Sequence, residues 1–406
     1  MADVNVGLRF ANPTYKIEET KVIIRTLLGS FALISSVAMA QDAYTIGASA
    51  TMTGPGASTF APVMEGLRAY LDHLNAKGGI NGKPIKLIVQ DDGGEPSKAA
   101  ANAKKLLTQD RVILLINTGP SSTFAPMAAE AKRANVPLYY AGSVCPKETY
   151  PPADPMQFCS TAFGANLDSQ AALAFIKGAA KEPVRLGFQA MAVPVSRAEI
   201  DYAETLAKTL GMTPVEKQIT PPPAADYTPF ATKLKDANPN WMWSWAPWVA
   251  EVRTFEAMRR LGWKGDYVAW GHSNAEDELA RLKDANFYII GTNALFSDNV
   301  PMHAEIRAVT HRSNLTYGAT NLTEGFITAL VVETIIKNTP WPPTTAKILN
   351  AMNTLKVDLK GLRGGPLEWT KENHFRTKQY YRVWKWDPAA NGIARVQDWV
   401  AIEVKK

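Results

Sequence analysis

Beyond residue 43, apolar runs of strand length alternate with stretches whose apolar residues recur at helical spacing. Tyr44 to Ala50 alternates as a strand and ends in Thr53-Gly-Pro-Gly56. A helix is expected from about Pro62, with Met64, Leu67, Leu71 and Leu74 on one face and Gly78-Gly79 as its stop. Pro84 to Gln90 reads as the next strand, Asp91-Asp92-Gly93-Gly94 as a turn, and Ser97 to Gln109 as a helix. Lys98, Lys104 and Lys105 mark that helix's solvated face. Arg111 to Ile116 is again strand, Ala125 to Ala134 helix and Val136 to Tyr140 strand, closed by Gly142-Ser143. Strands alternating with helices imply a parallel sheet whose loops share the C-terminal edge. Ligands of open α/β sheets bind at that edge.

The alternation restarts near Asn166. Leu173 to Ala180, Ala198 to Leu210, Tyr227 to Ala237, Val249 to Leu261 and Ala275 to Lys283 read as helices. Between them, Val184 to Met191, Thr213 to Ile219, Trp241 to Trp245 and Tyr267 to Trp270 read as strands. These βα-type units call for a second parallel sheet. From about Asn293 the pattern gives helices near 301–312, 321–337 and 344–355, then Gly364-Gly365-Pro366 and a strand-rich tail from Tyr380 to Val404. A helical block that fits neither sheet alone suggests a chain crossing back between two lobes.

A chain of 406 residues is too long for one ordinary core, and 46% hydrophobic with 20% charged residues is a globular composition. The formal charge of +6 is spread along the chain without a basic cluster, so it argues for solubility and against a nucleic-acid partner. Residues 21–40 read as a secretory signal: Lys21 and Arg25, an apolar stretch, then Ala38-Met39-Ala40 as a cleavage site near Ala40. The competing reading is a membrane anchor, for which the uncharged stretch is short. Residues 1–20 are unusual ahead of such a signal, and Val22 is an alternative start. Cys145 and Cys159 are the only cysteines and share one Pro-rich loop. Export favours a disulfide between them over two buried thiols.

Ser121, Ser122 and Thr123 fall where a helix begins. Their hydroxyls and the backbone N–H groups there suit an anion such as a carboxylate, or serve as ordinary caps. There is no H-E-x-x-H, G-x-S-x-G or P-loop, and the histidines lack metal-ligand spacing. Gly54-Pro-Gly56-Ala-Ser-Thr59 is an incomplete dinucleotide fingerprint. Asp91-Asp92 suits a cation less well than a solvated turn. No cofactor is therefore expected. Trp241, Trp243 and Trp245 share one strand face under a helix. Trp245, Trp248 and Trp270 cluster at strand ends, with His272 and Ser273 beside them. Aromatic walls with a few polar groups suit a small organic ligand.

NAKGGINGKPIKLIVQDDGGEPSKAAANAKKL (75–106), the T-G-P turn after the first strand, the A-P before V-P-L, and G-G-P-L-E-W (364–369) resemble the periplasmic leucine/isoleucine/valine-binding protein family of ABC importers. The resemblance implies a type I periplasmic binding fold of two α/β lobes joined by three crossover segments. Lobe one would be 44–165 with 295–366, and lobe two 166–294 with 367–406. It implies a ligand carboxylate held at Ser121, with Gly142, Ser143 and Val144 where amino-acid binders carry Ala-x-Thr. The tyrosine and acid that hold an amino acid's ammonium correspond here to Pro247 and Gly271, beside Trp248 and His272. An unpaired ammonium in a closed cleft costs several kcal/mol. The expected ligand is thus an aromatic carboxylate of benzoate or hydroxycinnamate type, with branched-chain amino acids or amides as the alternative. Should an ammonium bind, Glu251, Asp226 and Glu324 are where its partner would be sought. The expected ligand set is Ser121, Ser122, Gly142, Ser143, Thr59, Trp245, Trp248 and His272. A monomeric, exported, non-enzymatic binding component handing its ligand to an inner-membrane permease follows from the resemblance. A secreted hydrolase is the rival class.

Overall fold

The computed structural model describes residues 43–160, 166–221, 224–246, 249–271, 275–376 and 378–403. The signal-like segment, Trp248 and His272 lie outside them. The first sheet holds β1 (Tyr44–Ala50), β2 (Ile85–Asp91), β3 (Leu114–Thr118), β4 (Leu138–Tyr140) and β5 (Gln157–Cys159), all parallel, in the order β2-β1-β3-β4-β5. Side chains alternate as a two-residue period requires. Leu114 and Ile116 enter one core with Tyr44, Ile46 and Ala48, while Leu115 enters the other.

β6 (Arg185–Met191), β7 (Thr213–Thr220), β8 (Trp241–Trp245), β9 (Asp266–Trp270) and β10 (Phe287–Gly291) run parallel in the second sheet. The short pair β11 (Lys356–Val357) and β12 (Leu367–Glu368) stands apart. β13 (Lys378–Asp387) and β14 (Gly392–Glu403) extend the second sheet antiparallel beside β10, giving β14-β13-β10-β9-β8-β6-β7. The second sheet is therefore mixed, not purely parallel as the βα alternation predicts. In both sheets the parallel order reverses direction once, between β1 and β3 and between β6 and β8. Those are the switch points where crevices open.

The helices Pro301–Thr310, Thr323–Lys337 and Thr345–Asn353 pack into the first core with Met302, Phe326, Ile335 and Met352. Leu367 and Trp369 belong to that core as well. The helix Thr323–Lys337 crosses Ala57–Ala76 at two facing glycines. A Cβ on Gly325 would lie 2.5 Å from the Val63 carbonyl oxygen, and one on Gly66 2.9 Å from that of Leu322. No larger residue permits that approach.

Some elements differ from the pattern-based expectation. The first helix starts at Ala57, ahead of Pro62, which sits inside it. As the sixth helical residue, Pro62 lies beyond the N–H groups that a helix start leaves unpaired, so the helix forgoes one bond, to the Ser58 carbonyl, at that point. The Asp91-Asp92 turn is not simply solvated. Asp92 is buried and accepts from Ser49 Oγ, Thr51 Oγ1 and the Gly94 N–H, each at 2.8 Å. Asp91 accepts from Thr53 Oγ1 at 2.6 Å and from the N–H groups of Met52, Thr53 and Gly93. Both carboxylates hold the turn that launches the first helix, and no metal-binding group of His, Cys, Asp or Glu is found among the described residues.

Cys145 and Cys159 are bridged, with Cα atoms 5.6 Å apart. The bond pins the loop after β4 to the end of β5. Cys145→Ala/Cys159→Ala is expected to lose about 3 kcal/mol in denaturant unfolding, from the loop-closure entropy of a loop of about 15 residues. An unchanged midpoint would contradict this. A second expectation concerns acid. His303 is buried, accepts from the Val300 N–H at 3.1 Å, and is stacked on Phe296. Burial, then the neighbouring Arg307, hold its pKa down to about 4. The unfolded chain takes up this proton first, so the contribution is full above about pH 6.5 and lost as pH falls through the folded value. Roughly 3 kcal/mol of stability should disappear between about pH 6.5 and 4. His303→Asn should flatten that slope in urea titrations at several pH values. An identical slope would contradict it.

Candidate functional site

The two switch points face one cleft. One hollow is lined by Thr59, Phe60, Gly119, Pro120, Ser121, Gly142 and Ser143 on the first-sheet side. Met191, Val193, Trp245 and Trp270 line it on the other. An adjoining hollow shares Thr59, Gly142 and Trp270 and continues to Glu276, Asn293 and Glu324. They enclose about 440 and 570 Å³, counting space open to solvent.

On the first-sheet side, β3 ends in Gly119-Pro120, and Ser121–Thr123 form a single 3-10 turn feeding the helix Phe124–Ala134. The loop is locked from beneath. Asn117 Nδ2 donates to Thr123 Oγ1 at 2.9 Å, and Thr123 Oγ1 donates to the Pro120 carbonyl at 2.8 Å. Ser121 Oγ is buried with no hydrogen-bond partner among the described residues, and so is Thr59 Oγ1. Two unsatisfied hydroxyls beside a helix start make a donor-rich end for an anion.

Ser143 behaves differently. Its hydroxyl accepts from the Gly119 N–H at 2.9 Å and is 1% exposed, so it ties the β3 and β4 loops together instead of facing the cleft alone. Gly142 lines both hollows at φ +63°, and a Cβ there would lie 2.6 Å from Val63 Cγ2. Only glycine suits that conformation and that contact. Ser122 is exposed and lines neither hollow.

The far wall is aromatic. Trp245 and Trp270, at the ends of neighbouring strands β8 and β9, stack with ring centroids 4.6 Å apart and planes at 22°. Trp245 Nε1 donates to Asp168 Oδ2 at 2.8 Å, and Tyr381 OH donates to Asp168 Oδ1 at 2.6 Å. Burial, then Asp168, push the Tyr381 hydroxyl well above its usual range. Asp168 stands in the first turn of Leu167–Ala179, where a helix dipole favours negative charge. Ser196 Oγ meanwhile accepts from the Met191 N–H at 2.8 Å and donates to the Trp245 carbonyl, pinning the ends of β6 and β8 to each other.

Of the expected set, the cleft thus brings together Thr59, Ser121, Gly142, Ser143 and Trp245. Trp270, one of the strand-end tryptophans of the sequence reading though outside its ligand set, lines the cleft too, and Glu276 lines it without having been expected. The signals for them were a strand's last residue and the start of the following helix. Asp226 is exposed and Glu251 buried, and neither lines the two hollows; Glu324 does.

Two doubly wound sheets with facing switch points define a two-lobed binding-protein fold. The chain belongs to the periplasmic binding protein family, whose pattern matches residues 43–392. An amino acid binding protein of Pseudomonas aeruginosa is 33% identical over 129 residues, or 32% of this chain, so the match spans about a third of that relative. Among solved structures, a branched-chain amino acid ABC transporter from Thermus thermophilus with bound valine superposes at TM-score 0.77. It is 16% identical, covering 89% of this chain and 97% of that one. A solute binding protein of an ABC transporter from R. palustris, in complex with 4-hydroxybenzoate, gives 0.75 at 15% identity over 89% and 97%. These likenesses show the shared fold.

Asp168→Ala would strand the Trp245 N–H and the Tyr381 hydroxyl in the core. It is expected to cost about 2–6 kcal/mol in urea unfolding, at about 1–3 for each stranded donor. A loss below about 1 kcal/mol would show that neither donor depends on it.

Proposed function

We propose that this chain is the exported, periplasmic binding component of an ABC importer, and that its cleft captures a small aromatic carboxylate for delivery to a membrane permease. The observation that carries the reading is the asymmetry of the cleft. Buried, unpartnered hydroxyls of Ser121 and Thr59 stand at one end, and the stacked Trp245–Trp270 wall at the other. The first end matches an anion through hydroxyl and helix-start donors. The second matches a flat ring. The protein works by binding and release, as a monomer of two lobes hinged at the crossovers, and carries out no bond-breaking step. Family membership supports the binding role, and the aromatic wall supports an aromatic acid over a branched-chain amino acid.

Calorimetry against benzoates, cinnamates, leucine, valine and short amides tests this. A hydrogen bond to a charged group contributes roughly 1.5–3 kcal/mol, so Ser121→Ala should weaken binding about ten- to a hundredfold. Trp270→Ala should weaken aromatic acids by more than small aliphatic ones, since a ring contact adds about 0.5–1.5 kcal/mol beyond area burial. Tight leucine or valine binding without response to any aromatic acid would overturn the aromatic assignment. Turnover of esters or amides would point to a hydrolase instead.

A further inference from the structure

Beyond Trp270 the cleft changes character. Glu276, Asn293, Thr320, Asn321, Thr323 and Glu324 line it there. Glu324 is 6% exposed. Its Oε2 accepts from Asn293 Nδ2 at 2.9 Å and from the fully buried guanidinium of Arg363. Its Oε1 is buried with no hydrogen-bond partner among the described residues. A buried acceptor without a donor is unfavourable, and a ligand that brings a donor relieves it.

The charges around it decide which donor. Arg363 already neutralises the Glu324 carboxylate through Oε2. The other acid of this arm, Glu276, is pushed up by burial, towards its neutral form. What charge it keeps is answered by the N–H groups of Phe296 and Ser297, at 2.6 and 3.0 Å. An arm so compensated offers a lone pair to a neutral donor and little net field to a cation. Thr59, Gly142 and Trp270 line this arm as well as the Ser121 end, so the two hollows adjoin.

We propose that Glu324 Oε1 accepts a hydrogen bond from a hydroxyl on the ligand, making the preferred ligand a hydroxylated aromatic acid. Its carboxylate lies at the Ser121 end and its hydroxyl in the Glu324 arm. This rests on the reading of the cleft as an aromatic-acid site and goes beyond it by naming the second recognition group.

The test is calorimetry of the whole protein with benzoate, its hydroxy, fluoro and methoxy isomers, and aminomethylbenzoate. The best hydroxybenzoate should bind about tenfold or more tighter than benzoate, as a hydrogen bond to a charged group predicts. The fluoro isomer, which cannot donate, should gain nothing. In Glu324→Gln, Arg363 should hold the amide oxygen and turn the NH2 towards the ligand. The preference for hydroxy over methoxy should then fall to within about threefold. The fluoro comparison needs only the native protein, so it decides the matter even if the variant fails to fold. Hydroxy and fluoro acids binding alike would overturn the proposal. So would a preference unmoved by Glu324→Gln, or an aminomethyl cation binding tightest. If benzoate binds through Ser121 but the hydroxyl adds nothing, only the Glu324 assignment falls. If no aromatic acid binds, both fall.

Discussion

The buried Arg363–Glu324 pair is the constraint on which the cleft depends. Arg363 donates to the Ser160 carbonyl where the chain first leaves the first sheet, to Asn293 Oδ1 at 2.6 Å where it returns, and to Glu324 on the central helix of the first core. One guanidinium therefore joins two crossovers to the helix that lines the ligand space. Its planar fork satisfies separate acceptors at fixed angles, which a lysine would not do. Taking one partner away would leave a bare charge in a dry place, a cost of about 3–5 kcal/mol in buried pairs. A little further on, Arg376 donates to the Gly364, Gly365 and Pro366 carbonyls near the last crossover. Burial, then the nearby Arg363 charge, hold its pKa down to about 9. The segments around Ser160, Asn293 and Gly364–Pro366 are thus held by side-chain and backbone acceptors gathered around two buried guanidinium groups.

From that frame the cleft inherits three chemically distinct zones. The Ser121 loop is held from below by Asn117 and Thr123, and from the side by Ser143, so its free hydroxyl is fixed before any ligand arrives. The tryptophan wall is fixed by Asp168, which reaches Trp245 and Tyr381 from another helix. The Glu324 arm is fixed by Arg363. Preorganisation of this kind removes side-chain ordering cost from the binding step.

Much of the architecture was legible because its signals are local. Strand periodicity located β1 and β8 to the residue, and the resemblance along 75–106 named the fold. What escaped had non-local or ambiguous causes. β10 (Phe287–Gly291) is a short apolar run that periodicity cannot separate from a helix fragment. β5 lay hidden in a Pro-rich cysteine loop and exists because β4 offers it an open edge. Asp168 gave no sign of its role, since its partners Trp245 and Tyr381 are brought to it only by the fold. Ser143 lines the cleft, but its hydroxyl serves the Gly119 N–H, a contact between two loops that no spacing rule encodes. Glu324 stood among three acids named as possible ammonium partners, and only the fold separates it from Asp226 and Glu251 by placing it in the lining of the cleft with its Oε1 unpartnered among the described residues.

The account rests on one orientation: an aromatic acid with its carboxylate at the Ser121 end and its ring on the tryptophan wall. A crystal structure of the protein with a hydroxybenzoate tests it most directly. The account predicts carboxylate oxygens within hydrogen-bond distance of Ser121 Oγ and the ring against Trp245 and Trp270. A carboxylate seated at Glu324, or a ring lodged away from both tryptophans, would contradict it.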